Sequence, residues 1–233
     1  RDGRVRRRGH VERGLRRVGS TLVRERLDHG LTAVGDRFRV AERQIVERIV
    51  RLALLSLIHH VGEGRGEVGG REAGRPQDLA LVDDTETSLW AGIAALRVGE
   101  SLYAIGAAVE DSLTASGEER GWEYGIVEDY VGHGIGTSMH MDPNVPNYRV
   151  SGKGPKVVEG TTICIEPMVA LGDQDNYVLD DQWTVVTRDR SRAAHWEHSI
   201  AATSAGLCVL TALDGGEHRL AAIGAPFAAI DPT

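Results

Sequence analysis

The stretch Thr161-Thr162-Ile163-Cys164-Ile165-Glu166-Pro167-Met168 decides the fold class of this chain. Side chains on a strand alternate between faces. Ile163 and Ile165 therefore point one way, and Cys164 and Glu166 the other. Pro167 holds the preceding residue in extended geometry and cannot donate to a ladder, so a strand is expected to end at Glu166. A carboxylate at the end of an apolar strand is costly unless it is paired or bound to a metal. The plain alternative is a strand-end Glu that reaches solvent.

Two further segments carry chemistry. Ala194-His195-Trp196-Glu197-His198-Ser199 reads as part of a strand over 194–203, with Glu197 in its middle and Trp196 and His198 on the opposite face. Gly132-His133-Gly134-Ile135-Gly136 runs into Met139-His140-Met141-Asp142-Pro143. Its glycines are expected to allow close backbone approach and positive φ, holding His133 on a tight loop. The spacing is not that of a dinucleotide fingerprint. Each of these residues also has an ordinary structural reading. Taken together, two His and two Glu on rigid elements match the ligand set of a divalent metal. The residues alone support a metal site with hydrolytic chemistry.

Working outward, Asp83 and Glu86 resemble a capping box, followed by Leu89, Ile93 and Leu96 on one helix face and a stop at Gly99. Ser101 is expected to cap a second helix with Leu102, Ile105, Val109 and Leu113 inward, ending at Gly117. Strands are expected at 161–167, 183–187, 194–203 and 207–213. Two helices followed by antiparallel-type strands predict an α+β fold. Upstream, 37–58 reads as a helix, with Val46, Ile49, Val50, Ala53 and Leu57 on one stripe. The glycine-rich 62–76 reads as a linker.

Charge divides the chain. Residues 1–81 hold 18 Arg, no Lys and 11 acids, while 82–233 hold 9 basic and 23 acidic residues. All four Trp and all five Tyr follow residue 81. The Arg-rich start reads either as a phosphate-binding basic arm or as a tail. The longest apolar run, 52–58, falls far short of the ~20 residues that span a bilayer. Glu12, Glu25 and Asp28 are foreign to a transit peptide. Cys164 and Cys208 form neither a disulfide framework nor a zinc knuckle. These features predict a cytoplasmic protein without membrane or specific nucleic-acid partners. A chain starting at Arg1 rather than Met is expected to be a trimmed or incomplete product.

GHGIGTSMHMDPNVPNY, TTICIEPM and DDQWTVVTRDRSRAAHWEHS, in that order, closely resemble the catalytic half of type I methionine aminopeptidases over about 82–213. The resemblance implies the C-terminal half of a pita-bread α+β domain with a two-metal centre (cobalt, manganese, iron or zinc). It implies His133, Glu166 and Glu197 as metal ligands, with Glu197 bridging. His140 matches the histidine that stabilises the tetrahedral intermediate. Met139 and Trp183 match the walls of the methionine pocket. The implied reaction removes N-terminal methionine from nascent proteins, in association with the ribosome.

The family also has two Asp about eleven residues apart, and a further His, upstream of these blocks. Residues 1–81 contain nothing that matches; their acids include Asp2, Asp28, Asp36 and Asp78, and no two Asp have that spacing. Residues 1–81 are accordingly expected to be a non-family segment, out-of-frame or disordered, and 82–233 the aminopeptidase-like half. At most one metal ion is expected per chain. Alternative readings are an inactive remnant or non-catalytic binding module, and a relative of the proline-specific peptidases.

Overall fold

The computed structural model describes residues 75–230. The helix expected over 37–58 and nearly all of the linker expected over 62–76 lie outside the described residues. So does most of the expected non-family segment.

The first described helix, α1, spans Pro76–Ala95. Pro at the first helical turn has the right φ and lacks only an N–H that would be unsatisfied there. This start lies upstream of the expected capping box, so Asp83 and Glu86 sit inside the helix rather than at its cap. Arg75 precedes the helix and pairs with Asp78 at 3.0 Å. The helix stops at Ala95, before Gly99, and Leu96 is already extended. Helix α2 spans Ala104–Arg120. Ser101 does not cap it: its hydroxyl accepts the Tyr103 N–H and donates to the Lys153 carbonyl. Nor does the helix end at Gly117. It ends at Gly121, which takes the left-handed conformation (φ 75) that favours glycine.

The expected apolar faces are inward. Leu89, Ile93, Leu96, Leu102, Ile105, Val109 and Leu113 are all buried. Between the two helices lies a buried carboxylate. Asp84 is 5% exposed, and it accepts Arg120 at 2.6 and 2.9 Å and the Tyr124 hydroxyl at 2.6 Å.

The strands are β1 Gly125–Ile126, β2 Gly132–Gly134, β3 Met141–Val145, β4 Thr162–Ile165, β5 Met168–Ala170, β6 Asn176–Val178, β7 Val185–Thr187, β8 Ala193–His195, β9 His198–Ala202 and β10 Leu207–Val209. They form a five-stranded sheet ordered β10-β9-β4-β2-β3, a three-stranded sheet ordered β1-β5-β8, and the β6-β7 hairpin. Every strand pair among the described residues is antiparallel. A short helix, α3, spans Glu217–Ala222. The architecture is α+β, with Ile163, Ile165 and Ile200 packed in one cluster with Leu89 and Ile93 of α1.

The strand expected over 194–203 is two strands in two sheets. In the five-stranded sheet, Ile165 faces His198. In the three-stranded sheet, Met168 faces His195. The two ladders share one register, interrupted at Glu166–Pro167 on one side and Trp196–Glu197 on the other. Pro167 has no N–H to give, so the ladder cannot continue through it. The chains bend there and pass from one sheet to the other, as strands do at the corners of packed sheets.

Candidate metal centre

The interruption places the acidic residues. Continuing the β4–β9 register one step beyond Ile165 and His198 sets Glu166 opposite Glu197. Both share a face with Cys164 and Ser199, whose Sγ and Oγ lie 3.3 Å apart. Glu197 is thus at a strand junction and not mid-strand. Trp196 and His198 do take the other face. The Trp196 indole donates to the Val82 carbonyl of α1, and His198 packs edge-on against Trp90 at 5.1 Å. Burial pushes the His198 pKa down to about 4.

His133 is not on a loop. It occupies the middle of β2, buried between β3 and β4. Its flanking glycines serve close approach: a Cβ at Gly132 would meet the Cys164 carbonyl oxygen at 2.3 Å, and one at Gly134 the Asp142 carbonyl oxygen at 2.3 Å. Neither has the positive φ expected of them. The neighbouring strand backbones pass where a side chain would stand. His133 Nδ1 meets the Gly134 carbonyl at 2.9 Å. A carbonyl only accepts, so Nδ1 carries a proton and, in the neutral ring, Nε2 has the lone pair. That Nε2 lies 3.4 Å from Glu166 Oε1. A cation between these two acceptors would be attracted by both.

Glu166 is 9% exposed. Among the described residues its ion-pair partners are two imidazoles, His133 on Oε1 and His195 Nε2 at 3.6 Å from Oε2. No Arg or Lys among the described residues pairs with it or with Glu197. Like charges facing each other across strands are destabilising, and a buried carboxylate without a cation is costly. Ligand atoms of Glu166, His195 and Glu197 all lie within 4.8 Å of one another. This donor set of carboxylates and imidazoles fits a divalent ion. Burial pushes the Cys164 thiol up; the Ser199 hydroxyl opposes that shift, and the carboxylates of Glu197 and Glu166 add to it. Cys164 stays a neutral thiol in the metal-free chain.

The His140 ring stacks at a tilt on His133, with centroids 4.3 Å apart. Met139 is half-buried beside it. Trp183 stands on the β6–β7 hairpin loop, 74% exposed. The Asp181 carboxylate accepts the backbone N–H of Trp183 at 3.0 Å. The structure therefore sets His140 against His133, His133 against Glu166 and Glu166 near Glu197, while the three-donor group within 4.8 Å holds His195 and not His133 or His140; no hydrogen bond or ring contact links Trp183 to these residues.

A sequence profile of metallopeptidase family M24 matches residues 68–204. The chain belongs to this family. In M24 terms, the matched region contains every residue of the cluster just described. The chain is 49% identical over 134 residues to methionine aminopeptidase 1 of Mycobacterium tuberculosis, covering 58% of this chain and 50% of that protein. It is 39% identical over 134 residues to methionine aminopeptidase 1 of Bacillus subtilis, covering 58% and 52%. The crystal structure of methionine aminopeptidase from Thermotoga maritima superposes with a TM-score of 0.54 at 36% identity, over 59% of this chain and 53% of that one. The M24 chain thus spans about half the length of these relatives, and its fold is half of their pita-bread domain.

Two residues of this cluster escaped the sequence reading. His195 lies on the Glu197 face by the same period of two that was applied to Glu197. Asn147 is fully buried; its amide donates to the Glu166 carbonyl at 3.2 Å and its oxygen accepts the Glu166 N–H at 3.4 Å. It pairs the Glu166 backbone on the side turned away from β9. Its only signal was its place in the VPNY stretch. No described helix is long and apolar enough to cross a membrane.

Proposed function

We propose that this chain carries one wall of a metal-dependent methionine aminopeptidase site, acting in the cytoplasm on the N-terminal peptide of nascent, ribosome-associated proteins. The observation that supports it is the opposition of Glu166 and Glu197 at the ladder interruption, flanked by imidazoles, in a chain similar to methionine aminopeptidases. His133, Glu166 and Glu197 would hold the metal, and a divalent ion bound there would supply polarisation of the scissile carbonyl and a lowered pKa of water.

The chain's own groups do the rest. His140, exposed beside His133, donates to the oxyanion that develops on the carbonyl, a stabilisation of roughly 3 kcal/mol. Glu166 takes the proton from the attacking water. Asn147 keeps the Glu166 backbone in place, so the carboxylate does not drift from its register. Met139 and Trp183 provide apolar surface for the methionine side chain. Residues 1–81 lack the paired Asp of the resembled family, so we expect at most one ion and turnover orders of magnitude below the ordinary enzyme value of roughly 10 per second.

The test is release of methionine from Met-Ala-Ser by the full chain with Co²⁺ or Mn²⁺, beside Glu197→Gln. Slow, metal-dependent release abolished by the substitution supports the reading. Metal binding without any release favours the non-catalytic alternative, which the missing Asp pair motivates. Release at the ordinary rate would mean that residues 1–81 contribute ligands after all.

A further inference from the structure

We propose that His195 is a direct metal ligand, through Nε2, at a position it shares with Glu166 Oε2 and the Glu197 carboxylate. The inference rests on the metal-centre reading above and deepens it. The resemblance assigns no role to His195.

Three observations carry it. Strand alternation puts His195 and Glu197 on one face, and the β5–β8 register brings His195 opposite Met168, two residues beyond Glu166. The separation of His195 and Glu166 is that of two donors around one cation. Two donors each about 2.1 Å from an ion, at a tetrahedral angle, stand about 3.4 Å apart. His195 Nε2 and Glu166 Oε2 are 3.6 Å apart, and the Glu197 carboxylate closes a triangle of donors within 4.8 Å. At 3.6 Å the imidazole is too far for a good hydrogen bond to the carboxylate. Finally, the two imidazoles divide the carboxylate between them, His133 on Oε1 and His195 on Oε2. Each oxygen of Glu166 therefore has its own nitrogen donor.

The position is built from the end of β4 and the β8–β9 bend. It needs no ligand from residues 1–74. His195 has its side chain 29% exposed, which leaves an approach from solvent. A donor set of imidazoles and carboxylates suits a borderline divalent ion such as zinc, cobalt, manganese or iron.

The experiment uses the full chain, with Co²⁺ binding followed by calorimetry and by X-ray absorption at the cobalt edge. Wild type, His195→Gln and His133→Gln are compared. We expect His195→Gln to weaken binding at least roughly tenfold and to lower the imidazole scattering per bound ion. His133→Gln should retain imidazole scattering, and the double variant should lose it. Weaker binding by His195→Gln with unchanged scattering would overturn direct ligation and make His195 a residue that only orients Glu166. Unchanged affinity and scattering would overturn the inference and leave the metal-centre reading standing. A wild-type chain that binds no Co²⁺ would overturn both.

Discussion

Two carboxylates are buried among the described residues, and they are satisfied in opposite ways. Asp84, between the helices, has a guanidinium on both oxygens and a phenol besides. Glu166, at the ladder interruption, has two imidazoles as its ion-pair partners among the described residues, at 3.4 and 3.6 Å, and faces a second carboxylate. The first arrangement is complete without any further group. The second leaves negative charge in search of a cation. Burial of an acid is therefore not by itself a mark of function; what distinguishes the two is whether the protein supplies the counter-charge.

The largest expected effect would sharpen this contrast. Glu166→Gln should weaken divalent-metal binding by roughly a hundredfold, about 2.7 kcal/mol, when titrated by calorimetry. The metal-free variant should unfold at the same urea concentration as the parent or a higher one, because one of two opposed charges is gone. A metal-free chain markedly destabilised by this change would make Glu166 structural, like Asp84.

Asp84→Ala should do the reverse. It leaves Arg120 and Tyr124 unpartnered and should cost about 2 kcal/mol in urea unfolding. That is less than for a fully buried pair, because Arg120 is 38% exposed and partly screened. Metal affinity should not change. A loss of metal binding equal to that of Glu166→Gln would break the comparison.

Asn147→Ala should cost about 1 kcal/mol, since both of its bonds to the Glu166 backbone are long. It should also weaken metal binding, through a looser Glu166. Intact affinity would mean that the interrupted ladder holds Glu166 without help.

The smallest effect is on acid stability. Burial alone would raise the Asp84 pKa, but the hydrogen bonds from Arg120 and Tyr124 and the Arg120 charge outweigh it and hold the carboxyl below its ordinary value. A carboxyl with a depressed folded pKa stabilises above its unfolded value of about 3.9 and loses that contribution as pH falls through the folded value. Stability should therefore fall below about pH 4, and Asp84→Asn should flatten that slope. An unchanged slope would assign the acid transition to other carboxylates.

Local chemistry in the sequence determined much of this chain. The alternation at 163–166 set which residues meet the helices and which share a face with Glu197. The apolar positions of both helices were legible because a 3.6-residue period needs no knowledge of partners. The same rule, applied one residue further, would have found His195. Helix ends were read less well, because competing signals stood close together and Pro76 and Gly121 outranked Asp83 and Gly117.

Only the tertiary structure decided where the ladder breaks. Residues 194–203 read as one strand because nothing in them forbids it. Their break is imposed from across the sheet by Pro167, which has no N–H to donate, so Trp196 and Glu197 are left where two sheets part. The same non-local register sets Glu166 against Glu197, and close strand packing puts His133 in a strand and not a loop. Periodicity along one segment says which way a side chain points; which partner it meets depends on the register of segments far apart in the chain, and that is a property of the packed fold.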